Sequence, residues 1–231
     1  MKALNVVGAG ALIAAFALVG APAVHADGVA VTGGTVGQQV YKAGTDNLFV
    51  KFIGKQASYT NDTYYYLTLG SAGEFLFRNN DVPGTTHEAT TSAGLATGAE
   101  AIFGICANVG SGSTPGTGCT QSNAYYTGPA SRNPDDRFHA NVWTRDAYLA
   151  GCALNPSACN PDVISLLSDD SFNIVIGFED SFNYNIDDDF NDVVFAVKGA
   201  TTVPEPVTMT LLATGLAGMG GAGALKRRKK A

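Results

Sequence analysis

The chain has 231 residues, with 14 lysines and arginines against 20 aspartates and glutamates, for a net charge of −6. Its 45% hydrophobic content is too high for an intrinsically disordered chain. Its acidic balance excludes nucleic acid as a partner, because that affinity rests on clustered lysine and arginine.

Taken in chain order, residues 1–26 form a secretory signal peptide. Lys2 precedes an apolar run from Gly8 to Val19, and Val24-His25-Ala26 supplies a small-residue cleavage site for signal peptidase. The other end has its own organisation. Pro204-Glu205-Pro206 is followed by Val207 to Leu225 without a charged residue, then by Lys226-Arg227-Arg228-Lys229-Lys230. As a helix, 207–225 would reach roughly 28 Å, close to a hydrocarbon core of about 30 Å. Five glycines weaken such a helix. The charge-free length and the basic tail 226–230 behind it nevertheless favour a membrane span with the body outside.

Pro204-Glu205-Pro206, the apolar stretch and the basic cluster together resemble the PEP-CTERM sorting signal of exported bacterial proteins. The resemblance covers 204–231. It implies transient membrane insertion and removal of the tail by a membrane protease, exosortase. Proteins with this signal belong typically to Gram-negative bacteria that make exopolysaccharide and form biofilm, so the expected destination is the cell surface or extracellular matrix.

Between the signals lies one expected domain, 27–203. Residues 1–26 hold one basic residue, and 204–231 hold five basic and one acidic; the body therefore keeps 8 basic against 19 acidic residues, a net of −11. Such a surface suits divalent cations as partners. Short alternating apolar and polar runs predict strands at Leu48 to Ile53, Tyr64 to Leu69, Glu74 to Phe77, Ala101 to Cys106, Phe172 to Phe178 and Phe190 to Val197. One short helix is expected after Pro161, carrying Val163, Ile164, Leu166 and Leu167. The expected fold is all-β, an antiparallel sandwich of jelly-roll type.

Cys106, Cys119, Cys152 and Cys159 are even in number and lack the short Cys-x-x-Cys pairs of a zinc site. In an exported chain disulfides are expected. Spacing favours the local pairs 106–119 and 152–159, among three possible connectivities.

Residues 174–197 carry the most chemistry. If Ile174 to Phe178 and Val193 to Val197 pair as a hairpin, Glu179 and Asp180 approach Asp187, Asp189, Asn191 and Asp192 at one end of the sheet. Crowded carboxylates repel unless a proton or cation intervenes, and calcium suits an all-oxygen set. The competing reading is a solvated acidic loop. Asp187-x-Asp189-x-Asn191 opens like an EF-hand, but Asp192 stands at the sixth position and Lys198 at the twelfth, which excludes that motif.

Gly177-Phe178-Glu179-Asp180 followed by Asp187-Asp188-Asp189-Phe190-Asn191-Asp192-Val193-Val194-Phe195 resembles the ending of a domain of unknown function found in PEP-CTERM and other large bacterial surface proteins. Tyr59-Thr60-Asn61-Asp62, Ser131-Arg132-Asn133-Pro134-Asp135 and His139-Ala140 extend the resemblance over most of the body. It implies a β-rich extracellular module, presumed to bind calcium, and no activity.

Asn133 and Asp135 are turn residues first and a possible secondary ligand set second. His139 reads equally as a structural residue or a ligand, and His87 as exposed. Trp143, Tyr125 and Tyr126 read as core before they read as a sugar-stacking platform. Asn61-Asp62-Thr63 matches a glycosylation acceptor. The chain lacks Gly-x-Ser-x-Gly, His-Glu-x-x-His and P-loop motifs. The expected function is a calcium-stabilised, non-catalytic binding or structural module, with a polysaccharide hydrolase or a calcium-dependent lectin-like protein as alternatives.

Overall fold

The computed structural model describes residues 31–117, 119–120, 122–159, 162–181 and 188–202. The signal segment 1–26, Pro204-Glu205-Pro206, the expected span 207–225, the basic tail 226–230 and Asp187 lie outside the described residues. Among the described residues no helix is long and apolar enough to cross a membrane.

The described chain is mostly β. Its strands are β1 (Thr35–Val36), β2 (Val40–Lys42), β3 (Leu48–Gly54), β4 (Asp62–Tyr66), β5 (Glu74–Arg78), β6 (Thr86–Ala89), β7 (Glu100–Cys106), β8 (Ala124–Tyr126), β9 (Ala140–Thr144), β10 (Phe172–Phe178), β11 (Val193–Lys198) and β12 (Ala200–Thr201). They form two antiparallel sheets, one in the order β1-β9-β10-β11-β3-β6 and the other β12-β2-β7-β4-β5, with β8 also on β7. The inner faces meet through large side chains. Phe195 on β11 packs its ring 5.7 Å from Phe77 on β5 and 5.6 Å from Phe103 on β7.

Strand β10 shows how alternation builds this core and where it slips. Ile174, Ile176 and Phe178 point between the sheets, as a period of two requires. Phe172 does not. The pairing with β11 shifts register between Phe172 and Ile174, so Phe172 joins Val175 on the outer face.

That outer face is apolar too, and it is covered by helices. The expectation of one short helix needs correction: α2 (Val163–Leu166) sits where it was expected, but a longer α1 (Arg145–Leu154) precedes it. Thr144 caps α1, its Oγ1 accepting the Ala147 N–H at 3.3 Å, and Asp146 lies in the first turn near the positive end of the dipole. Tyr148 and Cys152 pack on Trp143 and Val175. Gly151, unfavourable inside a helix, is needed for close approach: a Cβ there would stand 2.5 Å from Val31 Cγ1 and 2.8 Å from the Thr32 carbonyl.

The second sheet carries an outer cluster of Tyr64, Tyr66, Ile102, Cys106, Val109 and Ala124. The loop after β7 lies over it, joined by Cys106 and Cys119, whose Cα atoms are 5.2 Å apart; Cys152 and Cys159 form the other pair at 5.7 Å. A buried ion pair fixes the same loop. Arg78 donates to both Asp62 oxygens at 2.6 and 3.1 Å and to the Ser113 carbonyl at 2.8 Å, while Gly116 N–H donates to Asp62 at 2.8 Å.

Candidate metal site

Strands β10 and β11 pair in register, with Phe178 opposite Val193, so the segments leaving one and entering the other share one end of the sandwich. The entry to β11 is not extended as alternation suggested. Asp188 and Phe190 have φ of 55° and 54°, in the left-handed region that non-glycine residues rarely adopt, and the strand begins at Val193 rather than Phe190. Gly177 makes this path possible. A Cβ on Gly177 would sit 2.1 Å from the Phe190 carbonyl oxygen.

The turn sorts the acidic residues into two groups. Glu179, Asp180 and Asp192 each bring a carboxylate oxygen within 4.8 Å of the others. Asp180 N–H donates to Asp192 Oδ2 at 2.8 Å, and Ser181 N–H to Glu179 Oε1 at 3.2 Å. Asp189 falls outside that group and is bonded to Asn191. Asn191 donates to Asp189 from its backbone at 3.2 Å and from Nδ2 at 2.6 Å, and Gln56 N–H bonds the Asn191 carbonyl at 2.9 Å. This second pair fastens the loop to the exit of β3.

Three carboxylates at this spacing repel by about 3 kcal/mol per charged pair at an effective dielectric of about 20. The strain shows in Asp192. Burial first, and then the charge of Asp180, push its carboxyl from 3.8 up to about 7. The protonated form of this group therefore persists up to about pH 7 unless a cation takes the proton's place. All donor atoms are oxygens, which suits a hard divalent cation such as calcium.

The surrounding scaffold was only partly legible in sequence. Asn61, at the start of β4 in the opposite sheet, donates its Nδ2 to Asp180 and accepts the Asn108 N–H at 3.1 Å, so the cluster ties the two sheets together. His139, just before β9, is buried under the stacked ring of Tyr125 at 3.7 Å. Its Nδ1 donates to the Glu179 carbonyl at 3.0 Å, and its Nε2 faces Asp135 Oδ2 at 2.9 Å, donating there when protonated. Asp135 thus serves His139. Asn133 spends its amide on the loop, accepting from Tyr126 N–H at 2.7 Å and donating to the Arg137 carbonyl at 2.6 Å.

No family model, curated protein or solved structure matches this chain. The site must therefore be judged on its own chemistry. The aromatic platform is not available: Trp143 and Tyr125 are 2% and 0% exposed, and both are core. Asn61, Asp62 and Thr63 are fully buried, so the glycosylation match is not presented to solvent. His87 is half-buried beside Phe77, with ring centroids 6.1 Å apart, rather than exposed.

Proposed function

We propose that this chain is an exported cell-surface or extracellular-matrix protein whose β-sandwich is a calcium-stabilised, non-catalytic binding or structural module. The observation that carries the cation reading is the convergence of Glu179, Asp180 and Asp192 within 4.8 Å at the end of the β10–β11 hairpin. Their carboxylates would hold the ion, with water and neighbouring backbone carbonyls filling the six to eight positions calcium takes. Bound there, the ion would offset most of the cluster's negative charge and clamp the exit of β10 to the entry of β11.

Export rests on the N-terminal signal anatomy and on the PEP-CTERM resemblance of 204–231, which also names exosortase and signal peptidase as processing partners and the exopolysaccharide-rich envelope as the setting. The crossovers that place β3 beside β11 and β2 beside β7 favour a jelly-roll reading of the sandwich. That architecture gathers loops at the ends, where binding surfaces form.

A thermal melt with and without calcium tests the cation reading. A ligand held only by the folded state at a hundredfold excess over its Kd adds about 2.7 kcal/mol. A rise in Tm on adding calcium, reversed by chelator, is the expected outcome. A melt indifferent to both reagents leaves the acidic loop as a solvated surface feature.

A further inference from the structure

We propose that the cavity beside the carboxylate cluster binds an uncharged, hydroxyl-rich ligand of saccharide type. This deepens the binding-module reading by giving it a ligand class and a place.

The cavity measures about 410 Å³ and is bounded by Tyr59, Asn108, Thr120, Ser122, Asp180 and Ser181, with Ala107 and Asn123 behind them. That volume lies within the roughly 300–1,000 Å³ of small-molecule sites. The described residues that line it carry hydroxyls, amides and one carboxylate, and none of them is a lysine, arginine or histidine. Among the described lining residues the one charged group is Asp180. A phosphate, sulfate or uronate would therefore meet a carboxylate and no cationic side chain, whereas a neutral polyol can use every wall.

Two residues are available to such a ligand. Tyr59 is 46% exposed, an aromatic face of the kind against which the C–H side of a pyranose packs. Asn108 is exposed, and its side-chain amide makes no hydrogen bond among the described residues. Thr120 and Ser122 hydroxyls lie 3.0 Å apart, and because Thr120 donates to Asn123 Oδ1 at 2.8 Å the pair presents acceptor lone pairs to a ligand's hydroxyls.

Asn108 also holds a left-handed backbone, φ 54°, a conformation that costs free energy and recurs at ligand sites. It is pinned there by its N–H bond to Asn61 Oδ1, and Asn61 in turn holds Asp180. The cavity and the carboxylate cluster are thus one connected structure. A cation on the cluster would offset the Asp180 charge and stiffen the cavity wall; this effect rests on the calcium reading, while the lining does not.

Calorimetric titration of the protein with maltotriose, cellotriose and mannotriose, with trigalacturonic acid as the charged counterpart, tests this in calcium and in chelator. At least one neutral trisaccharide is expected to bind in preference to the acid. Tyr59→Ala and Asn108→Gly should each weaken it several-fold to about tenfold. Glycine removes the amide yet keeps the positive φ, and an unchanged melt of each variant in chelator verifies the fold. Absence of binding by all three neutral sugars, preference for the acid, or affinity untouched by both substitutions overturns the proposal. The two readings fail separately. A calcium shift without sugar binding sinks the cavity alone, and sugar binding that depends on Tyr59 and Asn108 without a calcium shift sinks the cation alone.

Discussion

Asp192 Oδ2 accepts the backbone N–H of Asp180 at 2.8 Å, so one carboxylate is fixed against the residue whose own charge opposes it. Burial and that charge raise the Asp192 carboxyl from 3.8 to about 7. Well below 3.8 both folded and unfolded chains hold the proton, and nothing is lost. Between 3.8 and about 7 the unfolded chain releases it first, so stability falls as pH rises through that window. The Tm in chelator should therefore decline from pH 5 to pH 8. Calcium should flatten the decline, since it replaces the proton, and its stabilisation should be larger at pH 8 than at pH 5. Asp192→Asn keeps an acceptor for Asp180 N–H without the charge. It should raise the chelator Tm at pH 8, remove the slope and abolish the calcium response; a slope unaltered by the substitution would assign the titration to another group.

Gly177 is set by the Phe190 carbonyl that lies on it. Gly177→Ala places a methyl 2.1 Å from that oxygen and 3.1 Å from the Trp143 ring. Overpacking of this kind costs about 1–3 kcal/mol, read as a lower midpoint in urea unfolding. The carbonyl has to move, and Asp192 follows two residues on, so calcium affinity should fall as well. A variant with wild-type stability and affinity would show that the close approach is relaxed in solution.

The hairpin that positions the cluster was legible because its information is local. Alternation marked Phe172 to Phe178 and Phe190 to Val197, and the acidic residues gather where those two runs face each other. The sorting of those residues was not legible, for it depends on two left-handed positions, Asp188 and Phe190, that no alternation pattern encodes. Asn61 reaches Asp180 across 119 positions of sequence, and only the stacking of the two sheets brings them together. Helix α1 was not among the expected elements; its Gly151, unfavourable inside a helix, serves the Val31–Thr32 approach by lacking a side chain. Thr144 followed by Arg145-Asp146 was the available N-cap signal.

Arg78 and Asp62 are buried, with side chains 5% and 0% exposed, and Asp62 also receives the Gly116 amide. Arg78→Met leaves a carboxylate without its counter-charge, at a cost of about 3–5 kcal/mol by chemical denaturation. The double variant Asp62→Asn/Arg78→Met should lose less than the single, because no uncompensated charge stays inside. Equal losses would mean that Arg78 acts through its bonds to Ser113 rather than through the ion pair.

The two disulfides close loops of sequence separation 13 and 7, which on chain entropy alone corresponds to roughly 3 and 2.5 kcal/mol. Their functional weight should differ more than their energies. Cys152 and Cys159 sit among the helices on the outer face of the first sheet, and neither lines the cavity. Cys106 and Cys119 hold the loop that supplies Asn108, Thr120 and Ser122 to the cavity. Peptide mapping under non-reducing conditions should recover the pairs 106–119 and 152–159. Cys152→Ser/Cys159→Ser should lower Tm while leaving sugar and calcium titrations intact. Cys106→Ser/Cys119→Ser should also abolish trisaccharide binding, because the cavity wall then loses its tether to β7. Retention of that binding would place the ligand against Tyr59, Asp180 and Ser181, without the loop that Cys106 and Cys119 hold.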